Sequence, residues 1–333
     1  MIDVPEEPRI PLYNYLLDLV ESRDKKEASI YINNCGWLVE ELWNEIMFEN
    51  RQSKHTRFEI AKILDISPTM IYAYKTNRKA ISIQMLYQFL LLWKDYCKKT
   101  DYGVQRKWRQ LFELDNWKLS THSKHHGVKL PRNITPKLSY FMGWFVGDGH
   151  MKETSNYLIK ISEKSTDQLN QVLRPLFIDL FSVDPPLFKR YMGGFALQVG
   201  CKPIYRFIKN VLKLKVGVIP EIVWQLDSVN KIHFLMGVFD SEGHVIPTSP
   251  NHRVVISQSD HGFLNDVRRL FLDVGIIFLS PIKHTTTLGI WHSIQIRKKS
   301  DLLKFCSEAR SYHVDKNKKL QNLVKEIEQK RQY

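Results

Sequence analysis

Cysteine is sparse and badly spaced for chemistry. The 333-residue chain has four, Cys35, Cys97, Cys201 and Cys306, which lie 62, 104 and 105 residues apart. Such intervals build neither a CxxC pair nor a zinc knuckle. Buried free thiols in a reducing, cytoplasmic setting are the expectation. Long apolar runs are lacking as well. The best candidate, Leu86 to Trp93, is interrupted by Tyr87 and Gln88 and falls far short of the ~18 residues a membrane span needs, so no membrane partner is expected. The first residues, Met1 to Glu7, are acidic and carry no secretory pattern. Met1 offers no nucleophilic side chain, and the last residues are Arg331-Gln332-Tyr333 rather than His-Asn; both argue against self-splicing chemistry. The group His122, His125 and His126 has no acid or cysteine beside it and reads as solvated rather than as a metal site.

Acidic residues are scarce beyond residue 50. The net charge of +14 divides into −7 for residues 1–50, +11 for 51–136 and +10 for 137–333. Two separate basic blocks point to two polyanion-binding surfaces, for which nucleic acid is the commonest partner.

What the chain does have is a duplication. Phe141-Met142-Gly143-Trp144-Phe145-Val146-Gly147-Asp148-Gly149 is echoed 94 residues later by Leu235-Met236-Gly237-Val238-Phe239-Asp240-Ser241-Glu242-Gly243. Each reads as an apolar helix with an early glycine, then a carboxylate and a closing glycine. Pro136 suits the first turn of the first of these helices. The echo continues: Leu158 to Glu163 parallels Arg253 to Gln258, both with alternating apolar positions. A helix follows each (Asp167 to Phe181, His261 to Val274), then a hairpin-like pair of strands (Leu187 to Met192 with Phe195 to Gly200; Phe278 to His284 with Gly289 to Arg297). Pro203 to Leu214 and Ser300 to Ala309 read as further helices, with a charged helix from Asp315. Each half is an αββαββα unit, and two such units predict one pseudo-symmetric α+β domain. The domains are expected at 134–228 and 229–333 for the halves, 118–133 for a polar linker, 54–117 for an all-α region described below, and 1–53 for an acidic helical segment in which Ile30 to Phe48 shows helical spacing.

A glycine inside a helix costs roughly 1 kcal/mol relative to alanine, which a close approach of two backbones at Gly143 and Gly237 would justify. A carboxylate at a helix C-terminus faces the negative end of the dipole, and two such acids together are worse. A divalent cation removes both penalties. One carboxylate from each helix plus substrate phosphates makes a reasonable shell for Mg²⁺.

These two segments resemble the paired motifs of single-chain LAGLIDADG homing endonucleases, over about residues 130–333. The resemblance implies two antiparallel sheets forming a saddle on double-stranded DNA. It puts metal, Mg²⁺ or Mn²⁺, at Asp148 and Glu242 with Gly147 and Ser241 before them. Val146 stands where many members have an acid, whereas Asp240 fills that place in the second motif. Glu163 and Gln258 take the positions at which the family often has glutamine, and a lysine late in each half is expected: Lys213 or Lys215, and Lys316. Gln258, Lys215 and Lys316 thus join the two acids as candidate catalytic residues. His150 and His244 match one another as well, and read best as polar residues opening strands. Strand alternation turns Lys160, Ser162, Gln198, Arg253, Ser257, Gln295 and Arg297 toward a groove, and Gln and Arg suit bidentate contacts to bases.

Residues 54–93 resemble the helix-turn-helix of Cro-like repressors. Phe58 to Leu64 forms the first helix and Asp65-Ile66 the turn, with Asp65 where glycine is usual. Ser67 and Pro68 then open the second helix. The resemblance implies base contacts from Thr69, Met70, Tyr72 and Lys75, and phosphate contacts from Arg78 and Lys79.

The sequence therefore reads as a monomeric, metal-dependent, site-specific endonuclease encoded by a mobile element. Two rivals stay open. One is a transcription regulator that binds DNA on the same scaffold without cutting; the other is a maturase that binds intron RNA.

Overall fold

The computed structural model describes residues 10, 30–50, 56–113, 117–120, 127–153, 156–191, 193–248, 251–287, 289–308 and 310–329. Most of the acidic segment 1–53 and all three linker histidines lie outside these residues. The chain divides into two compact units, one built mainly from 133–200 and 208–333, the other from 11–132 and 201–207.

The smaller unit begins with strand β1 (Tyr31–Asn33), followed by helices α1 (Gly36–Glu49), α2 (Arg57–Ile63) and α3 (Pro68–Lys75). Strand β2 (Ile81–Ser82), helices α4 (Ile83–Tyr96) and α5 (Asp101–Glu113) and strand β3 (Lys118–Ser120) complete it. The strands form an antiparallel sheet in the order β2-β1-β3. Helical spacing from Ile30 onward hides β1. Asn34 breaks the register by adopting φ 61°, a left-handed conformation that asparagine tolerates better than most residues. Lys118 to Ser120, read from sequence as linker, pairs with β1 instead.

Capping explains the turn between α2 and α3. Thr56 accepts from the Glu59 amide while Glu59 reaches back to the Thr56 amide, a reciprocal capping box. Ser67 accepts from the Met70 amide at 3.3 Å with Pro68 in the first turn. Asp65 sits at φ 52°, which is why glycine is usual there and why aspartate is accepted.

The larger unit starts with α6 (Pro136–Asp148), β4 (Gly149–Lys152), β5 (Leu158–Glu163), α7 (Thr166–Gln168), a π-helical turn at Leu169–Leu173 and α8 (Arg174–Phe181). Strands β6 (Leu187–Lys189) and β7 (Phe195–Gly200) follow. The sequence anticipates one continuous helix over 167–181; Pro175 in its middle lacks an amide, and the widened turn precedes it. The chain then passes through α9 (Lys202–Arg206), which belongs to the smaller unit, before a second π turn at Phe207–Val211 and α10 (Glu221–Trp224). The second half is α11 (Ser228–Glu242), β8 (Gly243–Ile246), β9 (Arg253–Gln258), α12 (His261–Asp273), β10 (Ile282–Thr286), β11 (Gly289–Ile296), α13 (Lys299–Glu308) and α14 (Val314–Gln329).

The two sheets have matching orders, β4-β5-β7-β6 and β10-β11-β9-β8. Each covers an aromatic cluster. Phe141, Phe145, Phe177 and Phe181 pack edge-on or tilted in the first half. Phe239, Phe271, Phe278 and Phe305 do so in the second. Phe145 and Phe239, like Phe177 and Phe271, keep the 94-residue offset. All eight are almost fully buried, and burying each contributes about 1.5–3 kcal/mol.

Helices α6 and α11 pack along their length between the two halves. A Cβ on Gly143 would collide with the Phe234 carbonyl, and one on Gly237 would meet the Tyr140 carbonyl and lie 2.5 Å from the Trp144 amide. Only glycine permits this backbone-on-backbone contact. Thr135 caps α6 by accepting from the Leu138 amide at 3.2 Å. Asp227 caps α11 by accepting from the Asn230 amide at 2.8 Å.

Candidate nuclease centre

The parallel entry of α6 and α11 brings their last residues, Asp148 and Glu242, to one end of the helix pair. Asp148 is open to solvent and Glu242 half-buried. Partial desolvation, then the charge of Glu163, pushes the Asp148 carboxyl up to about 6. Desolvation, then the charge of Asp148, pushes Glu242 up to about 7. These two anions are held where neither is stable alone.

The flanking groups are unequal. Gln258, the last residue of β9, donates to Glu242 Oε1 at 2.8 Å, while its own carbonyl oxygen accepts from the Ser259 amide. Glu163, the last residue of β5, accepts from the Lys164 amide at 2.6 Å. Its other oxygen lies 3.9 Å from His313 Nε2. The first half therefore carries an extra carboxylate where the second has an amide.

Lys316, on the first turn of α14, donates to the carbonyls of Phe239 at 3.1 Å and Asp240 at 2.7 Å. Those carbonyls lie in the last turn of α11, the Phe239 one also accepting from the Gly243 amide, and a cation is favoured at that end of the helix. Burial lowers the Lys316 pKa, and the charges of Asp240, Glu163, Asp148 and Glu242 oppose that fall. Lys316 is thus electrostatically coupled to both motif acids. Lys215 is not brought to them. It is exposed, in a turn closed by its bridge to Val218. Lys213, also exposed, adopts φ 51°.

Ser241 and Gly147 serve packing. The Ser241 hydroxyl lies within hydrogen-bonding distance of the Gly237 and Val238 carbonyls, and a Cβ on Gly147 would collide with it. The Ser241 side chain is therefore not a free metal ligand. Among the described residues no group of three or more His, Cys, Asp or Glu could enclose a metal ion. The two carboxylates fit a hard divalent cation whose remaining ligands are water and substrate phosphate.

Strand pairing sets out the polar face of each sheet. Lys160 is paired with Gln198 and His150, Ser257 with Ser293, and Val255 with Gln295. Lys160, Ser162, Gln198, Arg253 and Ser257 are half-buried and Arg297 is exposed. Arg253 Nε and Ser257 Oγ are buried without a hydrogen-bond partner. Gln295 corrects the expectation. It lies on the polar face but is only 4% exposed, and its oxygen accepts from Arg297 Nε at 2.9 Å. It orients Arg297 rather than offering its own edge. Beside it, His284 stacks on Trp291 at 3.9 Å and pairs with Ser293 Oγ at 2.9 Å; polar alternation alone gave no sign of this aromatic pair.

In the smaller unit, Thr69 and Tyr72 on α3 are exposed, as are Arg78 and Lys79. The Arg78 guanidinium sits 5.2 Å over the Tyr72 ring. Met70 is half-buried with Lys79 Nζ 3.5 Å from its sulfur. Lys75 is committed to Glu40 at 3.4 Å, so it is less available to bases than its position on the helix implies. Among the described residues no helix is long and apolar enough to cross a membrane.

Residues 230–309 match the family described as LAGLIDADG-like domain. The chain resembles the crystal structure of I-DmoI in complex with DNA and Ca at 21% identity, covering 55% of this chain and 93% of that one, with a TM-score of 0.42. It resembles full-length DUF199/WhiA from Thermatoga maritima at 15% identity, covering 60% and 63%, with a TM-score of 0.40. A curated relative, glutamine--fructose-6-phosphate aminotransferase [isomerizing] of Methanocaldococcus jannaschii, is 23% identical over 266 residues, which are 78% of this chain but 22% of that protein. The chain thus spans about a fifth of that relative's length. Likenesses this distant carry nothing about reaction or substrate. The matched residues contain the second motif, its acid and the strand and helix behind it, and it is over this segment that the chain resembles a LAGLIDADG-like domain.

Proposed function

We propose that this chain is a site-specific endonuclease of the homing type, which hydrolyses both strands of a long, asymmetric duplex DNA with Mg²⁺ or Mn²⁺. The observation that carries the reading is the meeting of Asp148 and Glu242 at the glycine-packed helix ends, with Lys316 coupled to both. Asp148 and Glu242 would hold the ions. Bound there, the metal would supply an activated water and neutralise the scissile phosphates. Lys316 would place positive charge near both acids, where negative charge develops on the oxygens of the phosphorane. Gln258 fixes the rotamer of Glu242 through its 2.8 Å hydrogen bond. Lys160, Ser162, Gln198, Arg253, Ser257 and Arg297 supply groove contacts from the two sheets. The smaller unit adds contacts from Thr69, Met70, Tyr72, Arg78 and Lys79. A monomer suffices, because both acids come from one chain.

Incubation with a library of long duplexes and Mg²⁺ is expected to give discrete double-strand cuts with short 3′ overhangs. Unchanged cutting by Asp148→Asn or Glu242→Gln would defeat the assignment. The exposed residues of α3 favour a second reading, a DNA-binding regulator that does not cut; specific binding with no cleavage in any divalent metal would establish it. A competition between duplex DNA and intron RNA separates the maturase case, and an interrupted gene around the coding sequence would identify a mobile element.

A further inference from the structure

Asp240 is a fully buried carboxylate on α11, two residues before Glu242. Four donors converge on it. Tyr140 of α6 donates its hydroxyl at 2.9 Å. Ser311 Oγ donates at 2.5 Å, the Tyr312 amide at 2.8 Å and the His313 amide at 3.0 Å. The last three belong to the segment that joins α13 to α14. One carboxylate thus ties both motif helices to the chain that leads into Lys316. The backbone carbonyl of the same residue accepts the Lys316 ammonium, so Asp240 holds the lysine from both sides.

Among the described residues the first half has no such device. The matching position, 94 residues earlier, is Val146. Its carbonyl accepts from the Gly217 amide at 2.8 Å, in the turn whose lysine, Lys215, stays exposed. The valine side chain has no polar atom with which to grip a returning segment, and among the described residues of this half no lysine is drawn to the acids.

We infer that Asp240 is a positioning residue: its clamp on Ser311, Tyr312 and His313 fixes Lys316 as the one lysine, among the described residues, that serves both motif acids. The inference rests on the nuclease reading for its consequence, the dependence of both strand cuts on one lysine. The clamp itself is measurable without cleavage.

The first measurement is the rate of amine acylation at Lys316, followed by mass spectrometry against exposed Lys319 in the full chain. Asp240→Val, which installs the residue of the first motif, is expected to raise labelling of Lys316 about tenfold, because lost clamping frees a group whose protection depends on local closure. Asp240→Asn should rescue protection, since its amide oxygen still accepts from the two backbone amides and the Ser311 hydroxyl can turn to accept. Ser311→Ala, which removes one donor and leaves the fold intact, should give an intermediate rise. Unchanged labelling in folded Asp240→Val or in Ser311→Ala overturns the clamp.

The second measurement is strand-resolved cutting. Lys316→Met and Asp240→Val should each lower kcat on both strands with KM unchanged, and the double variant should be no slower than the worse single one, as for groups acting as a unit. Slowing of only one strand by Lys316→Met overturns the shared-lysine assignment. A wild-type chain that binds but never cuts removes the nuclease reading, while the labelling result still decides the clamp.

Discussion

At the scale of single residues, the site is a set of destabilised charges. Glu242 holds its proton up to about pH 7 and Asp148 up to about pH 6, both above their unfolded values. The cost of ionising them in the fold is therefore absent below the ordinary carboxylate range, grows as pH rises through those values and is fully present above about 7. Removing the ionisable group should remove that cost. In metal-free buffer at pH 8, Glu242→Gln is expected to be more stable than wild type by about 1 kcal/mol, after allowance for its partial solvation. The difference should vanish near pH 4, as read by urea melts with EDTA. Equal stability at both pH values would contradict the assigned cause. The same titrations set metal use: Mg²⁺ affinity by calorimetry should climb between about pH 5.5 and 7.5 and then level off. Both acids were legible in the sequence because they repeat. Lys316 and Lys215 were not separable there, since proximity to an acid depends on which segment folds back, which the inferred Asp240 clamp would decide. Gln295 alternates correctly yet is buried, and its oxygen is taken by Arg297 just beyond the strand, a pairing that alternation does not anticipate.

At the scale of elements, the glycine contact between α6 and α11 governs the geometry of the acids. Gly143→Ala or Gly237→Ala pushes a methyl group into backbone that cannot rotate away. A loss of about 3 kcal/mol or more is expected, with cleavage lost at temperatures where the protein remains folded. Chemical denaturation alongside a cutting assay checks both; a neutral Gly237→Ala would mean that the helices have room to part. The helix-turn-helix offers a milder test. Asp65 at φ 52° tolerates the left-handed conformation, so Asp65→Ala should cost about 1 kcal/mol, measured the same way. Caps, glycines and the strand pairs could be read from sequence because each is a local rule. The strand Tyr31–Asn33 could not, being three residues embedded in a helical pattern, nor could the π turn before Pro175, since a proline in a helical pattern does not say how the turn ahead of it will adjust. Lys118 to Ser120 looked like linker for the same reason: its partner, β1, is more than 80 residues away.

At the scale of the molecule, duplication followed by divergence explains most of what is unequal. The halves share sheet order, aromatic clusters and the helix contact. They differ at Asp148 and Glu242, Glu163 and Gln258, Val146 and Asp240. An asymmetric target and unequal rates on the two strands are the expected consequence. The charge of the second unit acts at this scale too. Arg78→Ala and Lys79→Ala should each weaken DNA binding at every sequence tested and lower the salt dependence by about one ion, measured by titrations at several salt concentrations. Loss of specificity with an unchanged salt slope would instead make them base readers.

The most direct test is strand-resolved cutting of a selected duplex by wild type, Asp148→Asn and Glu242→Gln in Mg²⁺. Wild type should cut both strands within a few base pairs of each other, and each substitution should abolish cutting while DNA binding is retained. Undiminished cutting by either variant, or binding by wild type with no cut in Mg²⁺ or Mn²⁺, would contradict the account.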